Sequence, residues 1–286
     1  MDSISNAILA LSLIIIMFGM GLSLSLRDFA LVFLRPKAIV IGLVCQLVLL
    51  PLIGFALISV FALRPEIAIG VIILAACPGG PTSNLITHLA NGDTALSVSL
   101  TAACSFITLL TIPFLINLGL QQVLGEGTVI QLNVVQTVLQ VFVIVIVPVA
   151  LGMVLKSRSP KYALRMQKPV KRASGIFFVL VLLAVVIKER EMLMSSFGEA
   201  GLVTLSLNLL TMLTAFLLGH LFHLEERQRI SITIEGGIQN GTLGITIATL
   251  LLNNTAYAIA PAVYGVVMFL TAGAFIFWAN RSRAEG

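Results

Sequence analysis

The chain has 286 residues, of which 58% are hydrophobic and only 10% are charged, whereas an ordinary soluble domain carries about 25% charged residues. Its charged residues fall between long apolar stretches, so these stretches lack the polar face that a surface helix needs. The composition therefore excludes a water-soluble globule and predicts an all-α polytopic membrane protein.

Nine apolar stretches follow one another along the chain, and each is long enough to cross a hydrocarbon core of about 30 Å as a helix. Most of the chain would therefore lie in the lipid bilayer. The predicted transmembrane helices cover residues 4–25, 38–62, 66–90, 94–121, 129–155, 170–188, 198–222, 228–252 and 255–280.

The distribution of Lys and Arg between the predicted loops gives the orientation, because these residues concentrate on the cytoplasmic side. With the N-terminus outside and the C-terminus in the cytoplasm, fourteen Lys and Arg residues lie inside, and only Arg64, Lys188 and Arg190 lie outside. Removing or adding one span would destroy this bias. The sequence thus predicts a multi-pass protein of the plasma or inner cell membrane.

The formal net charge of +5 does not indicate a nucleic-acid partner. No basic stripe is interleaved with aromatic residues, and the Lys and Arg residues lie in the predicted loops. Lipid headgroups account for the charge better. No obligate protein partner is evident from the sequence.

Two predicted spans contain residues that the interior of a helix tolerates poorly. Residues 77–84 read CPGGPTSN, and residues 235–241 read EGGIQNG. Proline removes a backbone donor, and paired glycines lower the helix propensity, so both helices should be broken near the middle of the membrane. Non-helical backbone at that depth survives only where it is buried in protein or lines a cavity.

The predicted orientation makes the two broken spans antiparallel, and the spans on either side of them are antiparallel as well. Only the span at 129–155 lacks a counterpart. This is the pattern of inverted-topology repeats in secondary transporters. The sequence therefore predicts a first repeat of four spans at residues 1–125 and a second repeat of five spans at residues 126–286.

Glu235 is the only acidic residue well inside a predicted span. A charge at the centre of a membrane helix costs roughly 3 kcal/mol, and no Lys or Arg lies at a comparable depth to pair with it. Three interpretations stay open: a bound cation, a proton relay, and a protonated, hydrogen-bonded carboxyl.

Neutral oxygen-bearing side chains at mid-span favour the cation, because a hard ion such as Na⁺ takes oxygen ligands. Taken singly, each of them has a structural explanation, since Ser and Thr bond to their own helix and Asn and Gln join helices. Their convergence on two broken helices and one Glu favours a site. These residues are Gln46, Ser83, Asn84, Ser97, Thr101, Gln239 and Asn240.

Three motifs, taken in order, resemble the bile acid:sodium symporter family: MFGMGL at residues 17–22, CPGG at 77–80 with Ser-Asn and Asn-Gly shortly after it, and EGGIQN at 235–240. The resemblance covers nearly the whole chain. It implies a ten-helix fold of two inverted repeats, with a panel domain and a core domain whose broken helices cross at the binding site. With nine spans, this chain resembles the members that lack the first helix.

The resemblance also implies two Na⁺ ions as coupling ions for the symport of an organic anion. The family transports bile acids in animals, and small carboxylates such as pantoate or pyruvate in other relatives. Substrate would bind near Thr82 and Asn240, where the dipoles of helix N-termini can face a carboxylate. One Na⁺ site would use Ser83, Asn84, Ser97, Thr101 and Glu235, and the second would use Gln46, Glu235, Gln239 and backbone carbonyls around Gly236 and Ile238.

The chain departs from the family pattern at the expected substrate cavity. Pro81 stands where several relatives have Thr, and Met268, Phe269 and Leu270 stand where relatives have a polar pair. Neither change touches the implied Na⁺ ligands. The resemblance therefore implies sodium coupling, and the identity of the substrate stays open.

Two rival functions compete with that of a sodium symporter. A membrane-embedded enzyme lacks support, because the chain has no pair of intramembrane Asp residues, no His-Glu-x-x-His motif, and no Ser nucleophile with a His at matching depth. A transporter of the same fold could instead use Glu235 as a proton carrier or could act as an exporter. The dependence of uptake on Na⁺ at fixed pH separates these alternatives.

Overall fold

A computed structural model describes residues 3–25, 36–125 and 134–284. Within these ranges the chain forms helices and no β-strand, which confirms the prediction of an all-α protein. The α-helices are α1 (Ser3–Ser23), α2 (Pro36–Val44), α3 (Leu50–Val60), α4 (Pro65–Ala76), α5 (Thr82–Leu89), α6 (Thr94–Leu124), α7 (Val134–Val141), α8 (Val147–Arg158), α9 (Pro160–Lys188), α10 (Arg190–Leu221), α11 (Glu226–Gly237), α12 (Gly241–Thr246) and α13 (Ile259–Ala284).

Short irregular turns extend several of these helices. A π-helical turn at Cys45–Leu49 joins α2 to α3, and another at Phe142–Ile146 joins α7 to α8. Each is followed by a proline near the start of the next helix, Pro51 and Pro148. Because proline lacks an N–H and its ring crowds the preceding turn, the local backbone widens instead of keeping the α-helical bonds. The sequence pattern does not predict these turns.

Six helical runs among the described residues are long and apolar enough to cross a bilayer. They support a polytopic membrane protein. Three further apolar helices are shorter, at Leu9–Ser23, Pro65–Ala76 and Gly241–Leu251. The six long runs are Pro36–Val60, Thr94–Leu124, Val138–Arg158, Pro160–Lys188, Arg190–Leu221 and Ala256–Arg281.

Two helices begin well before the spans predicted from hydropathy. Helix α9 begins at Pro160 rather than near residue 170, and α10 begins at Arg190 rather than near residue 198. Hydropathy detects only the apolar part of a helix, whereas Lys and Arg also have high helix propensity. Pro160 is accommodated at the start of α9, where its missing N–H breaks no helical bond.

The two helix interruptions are shorter than predicted. Helix α4 ends at Ala76 and α5 begins at Thr82, whereas α11 continues to Gly237 and α12 begins at Gly241. The non-helical residues are therefore 77–81 and 238–240, which lie within the segments around 77–84 and 235–241 where the sequence predicts broken helices. Glycine at the end of a helix costs only about 1 kcal/mol relative to alanine, so neighbouring contacts can keep the end of α11 helical.

Glycines bring α1 and α8 into backbone contact. A Cβ atom at Gly21 would overlap the carbonyl oxygen of Val149, and one at Gly152 would lie 2.5 Å from that of Phe18. Neither helix can approach the other this closely with a larger residue at these positions. Helix α9 packs against both α1 and α8, so these three helices form one packed group.

Replacing Gly152 with Ala should destabilise the protein, because the added methyl group overlaps the backbone of α1. We expect a loss of about 1–3 kcal/mol, measured as a lower thermal midpoint of the protein purified in detergent. Gly175→Ala is the matched control, since a Cβ atom there would meet nothing within 4 Å. Equal midpoints for the two variants would contradict the close approach.

Candidate functional site

The non-helical residues 77–81 and 238–240 lie side by side in the interior. Gly79 and Gln239 form an isolated antiparallel β-bridge. The N–H of Gly80 donates to the carbonyl of Ile238 at 3.0 Å, and the N–H of Asn240 donates to the carbonyl of Pro78 at 3.0 Å. Each non-helical segment thereby forms hydrogen bonds with backbone groups of the other segment, which water does not reach.

Local sequence explains where the helices stop and restart. Pro78 disfavours helical backbone at the residue before it, and Cys77 is extended, with a ψ of 152°. On the other segment, the Asn240 side chain accepts a hydrogen bond from the N–H of Leu243 at 3.0 Å. This N-cap starts α12.

Glu235 lies in the last turn of α11 and is 4% exposed. Its Oε1 accepts hydrogen bonds from the hydroxyls of Ser83 at 2.6 Å, Ser97 at 2.5 Å and Thr101 at 2.8 Å. Ser83 belongs to α5, and the other two hydroxyls belong to α6. Two helices therefore place three hydroxyl groups on one carboxylate oxygen of a third helix. No Lys or Arg among the described residues forms an ion pair with Glu235.

The hydroxyl groups around Glu235 have more oxygen atoms at hydrogen-bond distance than they have hydrogens to donate. Ser97 Oγ is 2.5 Å from Glu235 Oε1 and also 2.8 Å from Asn84 Oδ1, although it carries one hydrogen. Thr101 Oγ1 is 2.8 Å from Glu235 Oε1 and 2.9 Å from the carbonyl of Ser97. Some oxygen atoms therefore face each other without a hydrogen between them. A bound cation, or a proton on the carboxyl, would satisfy them.

The donor set of this cluster suits a hard cation. It combines one carboxylate with hydroxyl and amide oxygens, which are the ligands that alkali and alkaline-earth ions prefer. No group of three or more His, Cys, Asp or Glu side chains that could hold a metal occurs in the described part of the chain. The side chains therefore fit Na⁺ better than a transition metal.

Gln46 and Gln239 form a second polar contact next to the crossing. The Gln46 Nε2 donates to Gln239 Oε1 at 2.6 Å, and the Gln239 Nε2 donates to the carbonyl of Gly236 at 2.9 Å. The carbonyl of Ile238 accepts from Gly80. Within the described residues no hydrogen bond joins either amide side chain to Glu235. The groups assigned to a second ion thus bind one another here.

The residues expected at the substrate site differ in exposure. Thr82 is exposed at the start of α5, Pro81 is half-buried, and Asn240 is 3% exposed. Among the described residues, Asn240 Nδ2 is a buried donor without a hydrogen-bond partner. Leaving such a group unpaired costs about 1–3 kcal/mol. A ligand that accepts a hydrogen bond at this position would recover that cost.

Asn208 and Tyr264 hold the end of α11 and are not among the site residues predicted from the sequence. Asn208 Nδ2 donates to the carbonyl of Gly237 at 2.8 Å, and the Tyr264 hydroxyl donates to the same carbonyl at 2.9 Å. Both side chains are fully buried. The signal that could have found them is a polar side chain in the middle of an apolar span, the criterion that selected Gln46.

A model of the Sodium Bile acid symporter family matches residues 10–196 of this chain. The sodium-dependent transporter YocS of Bacillus subtilis (strain 168) is 34% identical over 237 residues, which are 82% of this chain and 71% of that protein. The sodium-dependent organic anion transporter of Bos taurus is 31% identical over 87% of this chain and 66% of its own length. The ileal sodium/bile acid cotransporter of Oryctolagus cuniculus is 32% identical over 62% of this chain and 50% of its own length.

These matches differ in how much of each protein they cover. This chain spans about half of the rabbit protein and just under two thirds of the bovine one. The matched family region contains Ser83, Ser97 and Thr101 and stops before Glu235.

Proposed function

Because this chain belongs to the sodium bile acid symporter family, we propose that it is a secondary active transporter that couples Na⁺ to the symport of an organic anion. The family and the similar proteins are transporters rather than enzymes, which confirms that the chain is not an enzyme. The chain acts within a membrane, as its long apolar helices require.

One observation carries the proposed coupling to Na⁺. The buried carboxylate of Glu235 has no cationic partner among the described side chains and is surrounded by oxygen atoms that compete for too few hydrogens. A buried charge needs compensation, and a monovalent cation supplies it. Because Na⁺ would then bind at the point where two interrupted helices meet, its binding would be linked to their arrangement.

We assign the first Na⁺ to the cluster around Glu235 and a second to the neighbouring glutamines. The first ion takes oxygens of Ser83, Asn84, Ser97, Thr101 and Glu235. The second site requires the Gln46 and Gln239 amides to exchange their mutual hydrogen bond for contacts with the ion. Its ligands would be Gln46, Glu235, Gln239 and the carbonyls of Gly236 and Ile238.

The substrate would bind beside these ions through Asn240. Its unpartnered Nδ2 is a donor for a carboxylate or sulfonate oxygen, and Thr82 and Pro81 would border the same position. The names of the bovine and rabbit relatives specify an organic anion and a bile acid. We therefore propose an organic anion, either a bile-acid-like amphiphile or a small carboxylate such as pantoate or pyruvate.

The proposed transport cycle uses nine spans in two inverted repeats, at residues 1–125 and 126–286. The six long apolar helices and the three shorter ones support this count, with the N-terminus outside and the C-terminus in the cytoplasm. A panel domain would contain α1, α8 and α9, and a core domain would contain the crossing. Movement of one domain against the other would expose the ions and the anion alternately to each side.

Removing a ligand from either proposed ion site should weaken the apparent affinity for sodium. Ser97→Ala, Thr101→Ala and Gln46→Ala each remove one oxygen ligand, so the Na⁺ concentration for half-maximal uptake should rise about tenfold in each variant. Ser99→Ala is the matched control, because the Ser99 hydroxyl donates to the carbonyl of Ala95 in its own helix. Identical Na⁺ titrations for all four variants and the parent would reject the assignment.

Uptake into proteoliposomes tests the proposed function as a whole. The labelled probes are taurocholate, pantoate and pyruvate, offered with an inward Na⁺ gradient or with choline at the same pH. If two Na⁺ accompany one monoanion, an inside-negative potential of about 100 mV should raise accumulation about fiftyfold. Uptake that is undiminished in choline would reject sodium coupling and favour Glu235 as a proton carrier.

A further inference from the structure

An apolar groove lies between α10, α11 and α13. Its volume is about 400 Å³, and it opens on the outer surface of the bundle, where Leu213 is 52% exposed and Trp278 is 50% exposed. Two hydroxyls line it, and both are bonded within their own helices: Thr233 to the carbonyl of Arg229 and Thr271 to that of Val267. The wall of the groove therefore offers almost no polar group to a ligand.

Aromatic rings form one end of this groove. The ring of Trp278 meets that of Phe216 edge to face, at a centroid distance of 5.6 Å, and that of Phe275 at 5.5 Å. Such rings provide a large, rigid apolar surface that a hydrocarbon chain can contact. Trp278 is also the only tryptophan of the chain.

Arg229 lies at the aromatic end of the groove. Its guanidinium carbon is 5.1 Å from the centroid of the Phe216 ring, and its Nη1 is 3.2 Å from His220 Nδ1. Its Nε is buried and has no hydrogen-bond partner among the described residues. No carboxylate of the described residues forms an ion pair with it. The hydrocarbon-lined wall of the groove therefore ends beside an arginine to which the described residues supply no carboxylate.

The position of Arg229 along its helix indicates that a ligand of this groove comes from the membrane. Helix α10 ends at Leu221 and α11 begins at Glu226, so Arg229 lies in the first turns of a helix, at the level where a bilayer places its headgroups. From Phe216 to Leu209 the groove follows α10 inward for about 10 Å. That length corresponds to part of one acyl chain.

We propose that this groove binds an anionic phospholipid, with the phosphate on Arg229 and one acyl chain against Phe216, Phe275 and Trp278. Charge complementarity selects an anionic headgroup, since Arg binds phosphate through several N–H groups at once. None of the residues that line the groove is a proposed ligand of the ions or the substrate, so the proposal does not depend on which anion is transported.

Fluorescence quenching of Trp278 tests this proposal directly, because the single tryptophan lines the groove. The protein is reconstituted in phosphatidylcholine vesicles that contain a small fraction of phospholipid with brominated acyl chains, as either phosphatidylglycerol or phosphatidylcholine. We expect brominated phosphatidylglycerol to quench Trp278 with about fivefold higher apparent affinity. Arg229→Gln should reduce this preference to about one.

Arg190→Gln is the matched control. It removes the same charge from an exposed position at the opposite end of α10, and it should keep the fivefold preference. Thermal midpoints in detergent show that the variants remain folded. Equal quenching by the two brominated lipids in the parent, or an unchanged preference in Arg229→Gln, would overturn the proposal. Ala274→Phe, which fills the groove, provides a second test, because it should lower quenching by both lipids at low lipid fraction.

Discussion

Replacing Glu235 with glutamine should abolish sodium-dependent uptake while leaving the protein folded. The side chain keeps its shape but loses the charge that the proposed ions neutralise. A hydrogen bond or ligand contact to a charged group contributes up to about 3 kcal/mol, so apparent Na⁺ affinity should fall about a hundredfold or more. The measurement is the Na⁺ dependence of probe uptake into proteoliposomes, at matched amounts of incorporated protein.

Folding of the Glu235→Gln variant is assessed in buffer without Na⁺. Its thermal midpoint should equal or exceed that of the parent, because the cost of burying a charge, roughly 3 kcal/mol, is removed. Glu191→Gln is the control, since the side chain of Glu191 is 92% exposed. A Glu235→Gln variant that transports with the sodium dependence of the parent would show that this carboxylate binds no coupling ion.

Alanine at Gly79 should impair transport by a different route. A Cβ atom at this position would lie 2.6 Å from Glu235 Oε2 and 3.5 Å from the carbonyl oxygen of Ile238. The methyl group would push the carboxylate or the facing segment out of place, at a cost of about 1–3 kcal/mol. We expect uptake to fall at least about tenfold, with a lower thermal midpoint.

Gly201→Ala is the comparison for Gly79→Ala. Gly201 lies within α10, and a Cβ atom there would meet nothing within 4 Å. Alanine in a helix is favoured over glycine by about 1 kcal/mol, so this variant should transport normally and unfold at a slightly higher temperature. Normal uptake by Gly79→Ala would mean that the close approach of the two interrupted segments is unnecessary for transport.

Much of the site could be predicted from the sequence, because charged residues and helix breakers are rare in membrane spans and therefore stand out. Glu235 stood out as an acid in an apolar span, and Pro78 with the adjacent glycines indicated that a helix stops there. The hydroxyls of Ser97 and Thr101 share a helix face, and both contact that carboxylate in the structure. These inferences need only local rules of helix geometry and the cost of burying charge.

Features that depend on packing between distant segments were not predicted. The end of α11 at Gly237 is set by Asn208 and Tyr264, which are distant in sequence from it. The widened helical turn that contains Gln46 reflects how α2 and α3 fit around a proline. The carbonyl of Ile238 is bound by Gly80 in this structure, and no pattern in the sequence shows which partner a carbonyl will have.

Equilibrium binding of ²²Na⁺ to the purified protein tests the central claim most directly, because it requires no knowledge of the substrate. Scintillation-proximity measurements at constant ionic strength compare the parent with Glu235→Gln. We expect saturable binding by the parent that unlabelled Na⁺ displaces and that K⁺ and choline do not, and loss of this binding in the variant. Absence of saturable binding by the parent, or the same isotherm for the variant, would contradict the assignment of a coupling ion to Glu235.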